Sequence, residues 1–127
     1  MNIALDIDGT ITKNPEFFSV LSQAIRQAGG KVYIVTSRSN ADGVEVQTRK
    51  ELASYGIEFD DLVIIADGGG NEQITCPHED LDWYKKYLWQ KVKVCLDHNV
   101  HVVFEDDPKV ISLFEEHAPD IQVFQVR

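Results

Sequence analysis

Two aspartates near the start of the chain have the types and spacing that suit binding of a divalent metal ion. Asp6 and Asp8 stand in the stretch LDIDGT, directly behind the apolar residues Ile3, Ala4 and Leu5. Because residues two apart in a strand point to the same face, we expect both carboxylates to converge at the end of a first strand. Two anions held this close repel each other unless a proton or a cation is shared between them. The pair therefore predicts a metal site, and a helix-capping or turn role is the alternative.

The elements that position this pair alternate between strands and helices along the chain. Apolar runs predict five strands, at residues 2–7, 31–37, 62–66, 101–105 and 122–126. Apolar residues at helical spacing predict helices at 15–28, at 41–55 behind Ser39 or Asn40, from Asp80 onward, and at 108–117. This alternation predicts an α/β fold, with a parallel five-stranded sheet and helices on both faces.

Ligands of such sheets bind beyond the carboxyl ends of the strands. In this chain three polar segments follow predicted strands, at residues 6–8, 36–38 and 105–107. We therefore expect the chemistry of the protein to lie where these three segments meet.

The composition limits the classes of function. A chain of 127 residues that is 43% hydrophobic predicts one domain over 1–127. The net charge of -9 argues against an electrostatic grip on nucleic acid or on an anionic membrane. Cys76 and Cys95 are the two cysteines, and the sequence shows no signal peptide and no long apolar stretch. We expect reduced thiols in a cytoplasmic protein that does not enter a membrane.

The order of these segments resembles the haloacid dehalogenase superfamily of phosphatases. Strand-LDIDGT, strand-VTSR, a helix with lysines and strand-FEDDP follow the superfamily's motif order over nearly the whole chain. A D-x-D-G-T pattern arises by chance in about one chain per thousand of this length. The resemblance implies a three-layer Rossmann-like fold and Mg²⁺-dependent hydrolysis of phosphate monoesters.

The resemblance also implies roles for the first motif. Asp6 would be the nucleophile that takes the phosphoryl group as an aspartyl-phosphate. Asp8 would be the general acid that protonates the leaving alkoxide and then the base that activates water. A Mg²⁺ ion would be held by the Asp6 carboxylate, the Asp8 backbone carbonyl and an acidic residue after the fourth strand. The backbone beside Thr10 would help to hold the phosphoryl group, and a turn cap is the alternative for Thr10.

The second motif would bind the substrate. Thr36 stands where the superfamily has a Ser or Thr that hydrogen-bonds a phosphoryl oxygen, and a helix N-cap is its alternative. Ser37 follows it, and Arg38 resembles the arrangement in the polynucleotide 3'-phosphatase branch. A guanidinium at Arg38 would grip phosphate through two hydrogen bonds, whereas a solvated loop arginine is the alternative.

The acidic run after the fourth strand would complete the metal site. Asp106 is the preferred ligand, and Glu105 or Asp107 would orient the ligand without contacting the metal itself. The register of this run is open by one residue, because the superfamily pattern has either ED or DD here. A solvated strand end is the alternative.

The resemblance implies a lysine that neutralises the phosphoryl-enzyme charge. Spacing favours Lys86, and the apolar periodicity also allows Lys85. Lys91 and Lys93 are expected to lie too far down the helix to reach the strand ends. A surface lysine is the alternative for each of them.

The intervals between the motifs leave no room for a cap domain. The loop at 67–80 is the only sizeable irregular segment near the site, and Trp83 and Tyr84 either add a stacking surface beside it or belong to the core. An open site suits a large substrate, a lid supplied by another subunit of a homo-oligomer, or low selectivity.

The substrate is left open among a phosphorylated small molecule, a nucleotide and a nucleic-acid 3'-end. The acidic balance counts against the nucleic acid, whereas residues 36–38 and the capless layout count for it. A non-enzymatic binding or regulatory protein on the same scaffold is the competing hypothesis. It predicts a lost nucleophile or acid, and this chain has both.

Overall fold

The computed structural model describes residues 1–65 and 74–127. Its strands are β1 Asn2–Leu5, β2 Lys31–Thr36, β3 Asp61–Ile64, β4 Val102–Glu105 and β5 Gln122–Gln125. Its α-helices are α1 Pro15–Gln27, α2 Val44–Ser54, α3 Trp83–Asp97 and α4 Pro108–His117, and a 3₁₀ turn spans Ile11–Lys13.

All strand pairs in the sheet are parallel, and the strand order is β3-β2-β1-β4-β5. The chain moves outward from β1 to β2 and β3, then crosses over β1 to add β4 and β5. The order therefore reverses between β1 and β4, and a crevice forms at this point beyond the carboxyl ends of the strands. The pairing of Leu5 with Phe104 brings the segments that follow, at Asp6 and Glu105, side by side.

The sheet separates two apolar cores because its side chains alternate between faces. Ile3 and Leu5 enter the core on the side of α1 and α2, whereas Ala4 enters the core on the side of α3 and α4. The fold is thus a three-layer, Rossmann-like α/β arrangement, as predicted. Each connection between consecutive strands carries one α-helix in the described residues, which leaves no cap domain among them.

Two helices begin later than predicted. Helix α2 starts at Val44 behind Gly43, whose φ of 84° is left-handed, and neither Ser39 nor Asn40 caps it. Helix α3 starts at Trp83, because the Asp82 side chain caps it by accepting from the Lys85 amide in the first turn at 2.8 Å. This shift in α3 changes which lysine reaches the site.

The first strand is shorter than predicted. It ends at Leu5, and residues 7–10 form a turn in which the Ile7 carbonyl accepts from the amides of Thr10 and Thr12. Asp6 and Asp8 therefore lie beyond the strand, so strand alternation does not explain their placement.

Three further expectations concern the cysteines, the irregular loop and membrane-spanning helices. Cys76 and Cys95 are both free thiols. The predicted loop lies partly outside the described residues, at 67–73. Within residues 1–65 and 74–127, every helix is too short or too polar to cross a lipid bilayer.

Candidate active site at the carboxyl ends of β1 and β4

A cleft of about 340 Å³ opens at the crevice between β1 and β4. The three polar segments predicted from the sequence all contribute to its wall, through Asp6 and Asp8, Ser37, and Glu105, Asp106 and Asp107. Tyr84 and Lys91 of α3 close it on one side. The cleft is strongly acidic, with Lys91 as the one cation of its lining among the described residues.

Asp6 lies at the base of the cleft and is 7% exposed. Its Oδ1 accepts a hydrogen bond from Lys91 Nζ at 2.9 Å, and its Oδ2 accepts one from the Thr10 hydroxyl at 3.3 Å. Burial raises the pKa of Asp6, the nearby Asp106 carboxyl adds to the rise, and the Lys91 charge opposes it. Thr10 thus contacts the candidate nucleophile through its side chain.

Lys91 is the lysine of this site, although the sequence analysis excluded it on distance. Its ammonium group bridges Asp6 Oδ1 and Glu105 Oε2 at 2.9 and 3.0 Å, and the residue is 4% exposed. Burial lowers the pKa of Lys91, but the charges of Asp6 and Glu105 outweigh it, so the pKa lies above its ordinary value. Lys85 is exposed, Lys86 is half-buried, and neither lines the cleft.

The expectation about Lys91 is wrong for two physical reasons. Helix α3 begins at Trp83 rather than at Asp80, so Lys91 lies closer to the start of the helix than expected. Each residue of an α-helix spans about 1.5 Å along its axis. Helical side chains also lean toward the N-terminus, so a long lysine reaches back up the helix toward the strand ends. A signal was present in the sequence, because Lys91 falls within the apolar stripe of Leu88, Val92 and Cys95.

Glu105 is fully engaged by the protein. Its Oε2 accepts from Lys91, and its Oε1 accepts from the amides of Asp106 and Asp107 at 3.1 and 3.2 Å. Burial raises the pKa of Glu105 to about 7, with the Asp6 charge adding to the rise and Lys91 opposing it. With three hydrogen bonds on its two oxygens, Glu105 is better suited to holding Lys91 than to binding a metal directly.

Three carboxylates are grouped closely enough to hold a cation. One oxygen each of Asp6, Glu105 and Asp106 lie within 4.8 Å of one another. Hard carboxylate oxygens fit Mg²⁺, and the like charges of Asp6 and Asp106 favour a cation between them. Glu105 accepts three hydrogen bonds from the protein and Asp6 accepts two, so Asp6 and Asp106 keep more capacity for a cation than Glu105 does.

Asp107 and Gly9 explain the local shape of this group. Asp107 caps α4, because its Oδ1 accepts from the Lys109 amide at 2.9 Å, and this contact turns the carboxyl toward the helix. Gly9 has a φ of 83°, and a Cβ there would collide with the Asp106 carboxylate. The turn after Asp6 therefore requires glycine in order to admit Asp106.

Asp8 faces a second charged group at the mouth of the cleft. Arg38 donates to both of its oxygens, from Nε at 2.9 Å and from Nη2 at 2.8 Å. These hydrogen bonds lower the pKa of Asp8, and partial burial opposes them. The Asp8 side chain is 65% exposed, so it borders the open end rather than the base. Arg38, predicted as a phosphate ligand, here binds a carboxylate in the same two-point manner.

Helix α2 holds Arg38 from behind. Arg38 Nη1 donates to Glu51 Oε2 at 2.5 Å and to the buried Thr48 hydroxyl at 3.3 Å. Neither Glu51 nor Thr48 was predicted from the sequence. Because these contacts depend on how α2 packs beside the end of β2, no spacing in the sequence indicates them.

The remaining second-motif residues divide into a buried and an exposed part. Thr36 is 1% exposed and its hydroxyl accepts from the Arg38 amide at 3.1 Å, so it shapes the turn after β2. It does not cap a helix, since α2 starts at Val44. Ser37 lines the cleft.

Comparison with known proteins supports the fold. No protein-family model matches the chain, and no curated protein matches it. A chain in the structure of the Pnkp1/Rnl/Hen1 complex is similar with a TM-score of 0.66 and 18% identity, over 98% of this protein and 45% of that chain. A chain in the structure of the Pnkp1/Rnl/Hen1 RNA repair complex has a TM-score of 0.68 and 19% identity, over 98% of this protein and 42% of that chain. The protein spans less than half the length of these two chains, and the likeness concerns the fold.

Proposed function

We propose that the protein is a Mg²⁺-dependent phosphomonoesterase of the haloacid dehalogenase type that acts through Asp6. The observation that carries the proposal is the buried contact between Asp6 and Lys91 beside Asp106. A nucleophilic carboxylate, a cation to balance the transferred phosphoryl group and a second carboxylate for a metal are the parts that phosphoryl transfer needs. They lie together at the switch point of the sheet.

In the proposed reaction, an oxygen of Asp6 forms a bond to phosphorus as the ester P–O bond breaks. The leaving oxygen takes a proton from Asp8. Water then attacks phosphorus and gives a proton to Asp8, while the bond between Asp6 and phosphorus breaks and releases inorganic phosphate. A bound Mg²⁺, held by Asp6 and Asp106, would supply charge neutralisation of the phosphoryl oxygens.

Lys91 and Arg38 have separate tasks in this proposal. Lys91 balances the charge on Asp6 and is itself held by Glu105. Arg38 grips Asp8 in the absence of substrate, and a phosphoryl oxygen is a competing acceptor for the same guanidinium. Transfer of that contact from Asp8 to substrate would free Asp8 for its proton transfers.

A second candidate within this class is a nucleic-acid 3'-end phosphatase. Two observations favour it, the segment Thr36-Ser37-Arg38 and the likeness of fold to chains from an RNA repair complex. The net charge of -9 opposes it. A non-enzymatic role is less well supported, because the candidate nucleophile Asp6 is present and contacts a buried lysine.

Hydrolysis assays with and without Mg²⁺ test the proposal. The esters are p-nitrophenyl phosphate, glycerol phosphate, 3'- and 5'-nucleotides and a 3'-phosphorylated oligonucleotide, each with the wild type, Asp6→Asn and the exposed control Asp42→Asn. We expect metal-dependent turnover that Asp6→Asn abolishes and Asp42→Asn retains. Turnover that survives in Asp6→Asn, or no turnover of any ester, would overturn the proposal.

A further inference from the structure

Three aromatic side chains cluster on the first turns of α3, next to the cleft. Trp83 is 61% exposed and Tyr84 is 44% exposed, and Tyr87 lies beside both. Contiguous exposed apolar patches on a protein surface mark interaction or ligand-binding sites. We name Trp83, Tyr84 and Tyr87 the aromatic platform.

The platform is ordered by its own contacts. The rings of Trp83 and Tyr87 are parallel with centroids 5.7 Å apart, and the Tyr84 ring lies 6.3 Å from that of Tyr87. The Tyr87 hydroxyl donates to the Ser37 carbonyl at 3.0 Å, which fixes the platform to the turn after β2. A planar ligand would therefore meet rings that are already aligned, at little cost in side-chain entropy.

The platform is continuous with the candidate active site. Tyr84 lines the cleft together with Ser37 and Asp106, so a group stacked on the platform lies next to whatever occupies the cleft. Trp83 stands on the preceding position of the helix, outside that lining. The platform thus extends the cleft outward rather than forming a separate pocket.

One lysine, Lys109, contacts the platform, although the chain as a whole is acidic. Lys109 Nζ lies 5.1 Å from the centre of the Tyr84 ring, and Lys85 and Lys86 follow Tyr84 on the same turn of α3. Aromatic rings with neighbouring lysines are the recurrent means of binding single-stranded nucleic acid, because bases stack and phosphates pair with the cations. Such a surface gives a local grip that the net charge of -9 does not reveal.

We propose that the aromatic platform binds the nucleobase of the nucleotide whose phosphate occupies the cleft, with Lys109 beside Tyr84 available to the phosphodiester backbone. The substrate is then a phosphorylated end of a single-stranded nucleic acid. This inference rests on the proposed phosphatase function for its orientation, but the stacking itself is independent of catalysis.

Tryptophan fluorescence tests the stacking without any turnover. The chain has two tryptophans, and Trp89 is 6% exposed, so quenching by a ligand reports on Trp83. The probe is a single-stranded oligonucleotide without a 3'-phosphate, titrated by fluorescence and by anisotropy of a labelled copy. We expect quenching in the wild type. We expect Trp83→Phe to bind the labelled copy with the quenching lost, and Trp83→Ala to bind about 5- to 100-fold more weakly.

A matched substitution on the same helix is the control. Leu96 is 48% exposed on the last turn of α3, and Leu96→Ala should bind the oligonucleotide as the wild type does. Equal affinity of Trp83→Ala and Leu96→Ala would overturn the inference, as would quenching that persists in Trp83→Phe.

Kinetics separate this inference from the proposed function. For Trp83→Ala, we expect kcat/KM for a 3'-phosphorylated oligonucleotide, divided by kcat/KM for glycerol phosphate, to fall about 5- to 100-fold. An unchanged ratio with active enzyme would overturn the platform and leave the phosphatase standing. If oligonucleotide binding depends on Trp83 but the protein hydrolyses no ester, the platform stands and the proposed phosphatase function is overturned. A 3'-mononucleotide run in parallel shows whether one base is sufficient.

Discussion

The ammonium group of Lys91 lies 2.9 Å from a carboxylate oxygen of Asp6, within a part of the molecule that solvent hardly reaches. Glu105 binds the same ammonium group at 3.0 Å. Three carboxyl groups, those of Asp6, Glu105 and Asp106, surround this one cation, so the cluster carries an excess negative charge when they are ionised. A metal ion would balance that excess, so the arrangement is suited to a site that operates with a cation bound.

Lys91→Met should remove activity and weaken the fold. It leaves Asp6 and Glu105 buried without their partner, which should cost about 3–5 kcal/mol in the free energy of unfolding. We expect turnover to fall at least about 100-fold, because a positioned charge at the reacting group is lost. Urea unfolding and steady-state kinetics measure the two effects.

The other lysines of α3 are controls for this prediction. Lys93 is exposed and pairs with Asp97, so Lys93→Met should change the free energy of unfolding by less than about 1 kcal/mol. Lys86→Met should keep the turnover of p-nitrophenyl phosphate. Lys91→Arg retains the positive charge and serves as the second variant if Lys91→Met does not fold. Full activity in a folded Lys91→Met would contradict the assignment.

Asp106→Asn should separate metal binding from stability. It removes a like charge beside Asp6, so the metal-free protein should gain about 0.5–1 kcal/mol in the free energy of unfolding. Mg²⁺ at 100 times its Kd should stabilise the wild type by about 2.7 kcal/mol, and this gain should vanish in the variant. Thermal unfolding with and without Mg²⁺ measures both. If the metal-free Asp106→Asn variant is less stable than the wild type and Mg²⁺ still stabilises it, the assignment of Asp106 as a ligand is refuted.

Asp107→Ala is the neighbouring control for Asp106. Asp107 caps α4, so its removal should cost about 1 kcal/mol while the Mg²⁺ effect is kept. A lost Mg²⁺ effect in this variant would move the ligand by one residue along the chain.

Gly9→Ala should damage the metal site as well as the turn. The left-handed φ of 83° costs an alanine about 1–2 kcal/mol, and the added methyl also meets the Asp106 carboxylate. Gly29→Ala is matched to it, since Gly29 has a φ of 87° and open space around the added methyl. We expect similar backbone strain in both and loss of Mg²⁺ binding in Gly9→Ala alone. Isothermal titration with Mg²⁺ decides, and equal Mg²⁺ affinity in the two variants would be inconsistent with the geometry.

Glu51 should stabilise the fold in a pH-dependent manner. The hydrogen bond from Arg38 holds the pKa of Glu51 below its ordinary value of 4.5. A lowered pKa means that the stabilisation is complete above the pKa of the unfolded chain and is lost as the pH falls through the pKa of the folded protein. The stability difference between the wild type and Glu51→Gln should therefore shrink from pH 7 to about pH 3. Urea unfolding across that range checks it, and a difference that grows in acid would show the sign to be wrong.

The fold was predictable because its signals are local. The apolar runs that became β2 and β5 alternate with helical patterns, and that alternation requires a parallel sheet with covered faces. The end of β1 was mistaken, since the turn through Gly9 depends on hydrogen bonds to the Ile7 carbonyl rather than on the type of the residues before it.

The acidic residues of the candidate site and Arg38 were predictable from the sequence, whereas Lys91 and the partners of Arg38 were not. Asp6 and Asp106 follow strands that topology brings together, so sequence order was sufficient to pair them. To predict Lys91, one must know where α3 starts and which way the lysine side chain leans. To predict the partners of Arg38, one must know how α2 packs. The apolar stripe that includes Lys91 is visible in the sequence, whereas the packing of α2 against Arg38 is a tertiary contact that spacing along the chain does not carry.

The most direct measurement is the fate of the phosphoryl group during a single turnover. The protein is mixed with an ester labelled in its phosphate, quenched in acid within one turnover and digested, and the labelled peptide is identified. The account predicts label on the peptide that contains Asp6, which disappears as free phosphate forms and is absent from Asp6→Asn. Turnover with no label on that peptide, or a labelled peptide in Asp6→Asn, would contradict it.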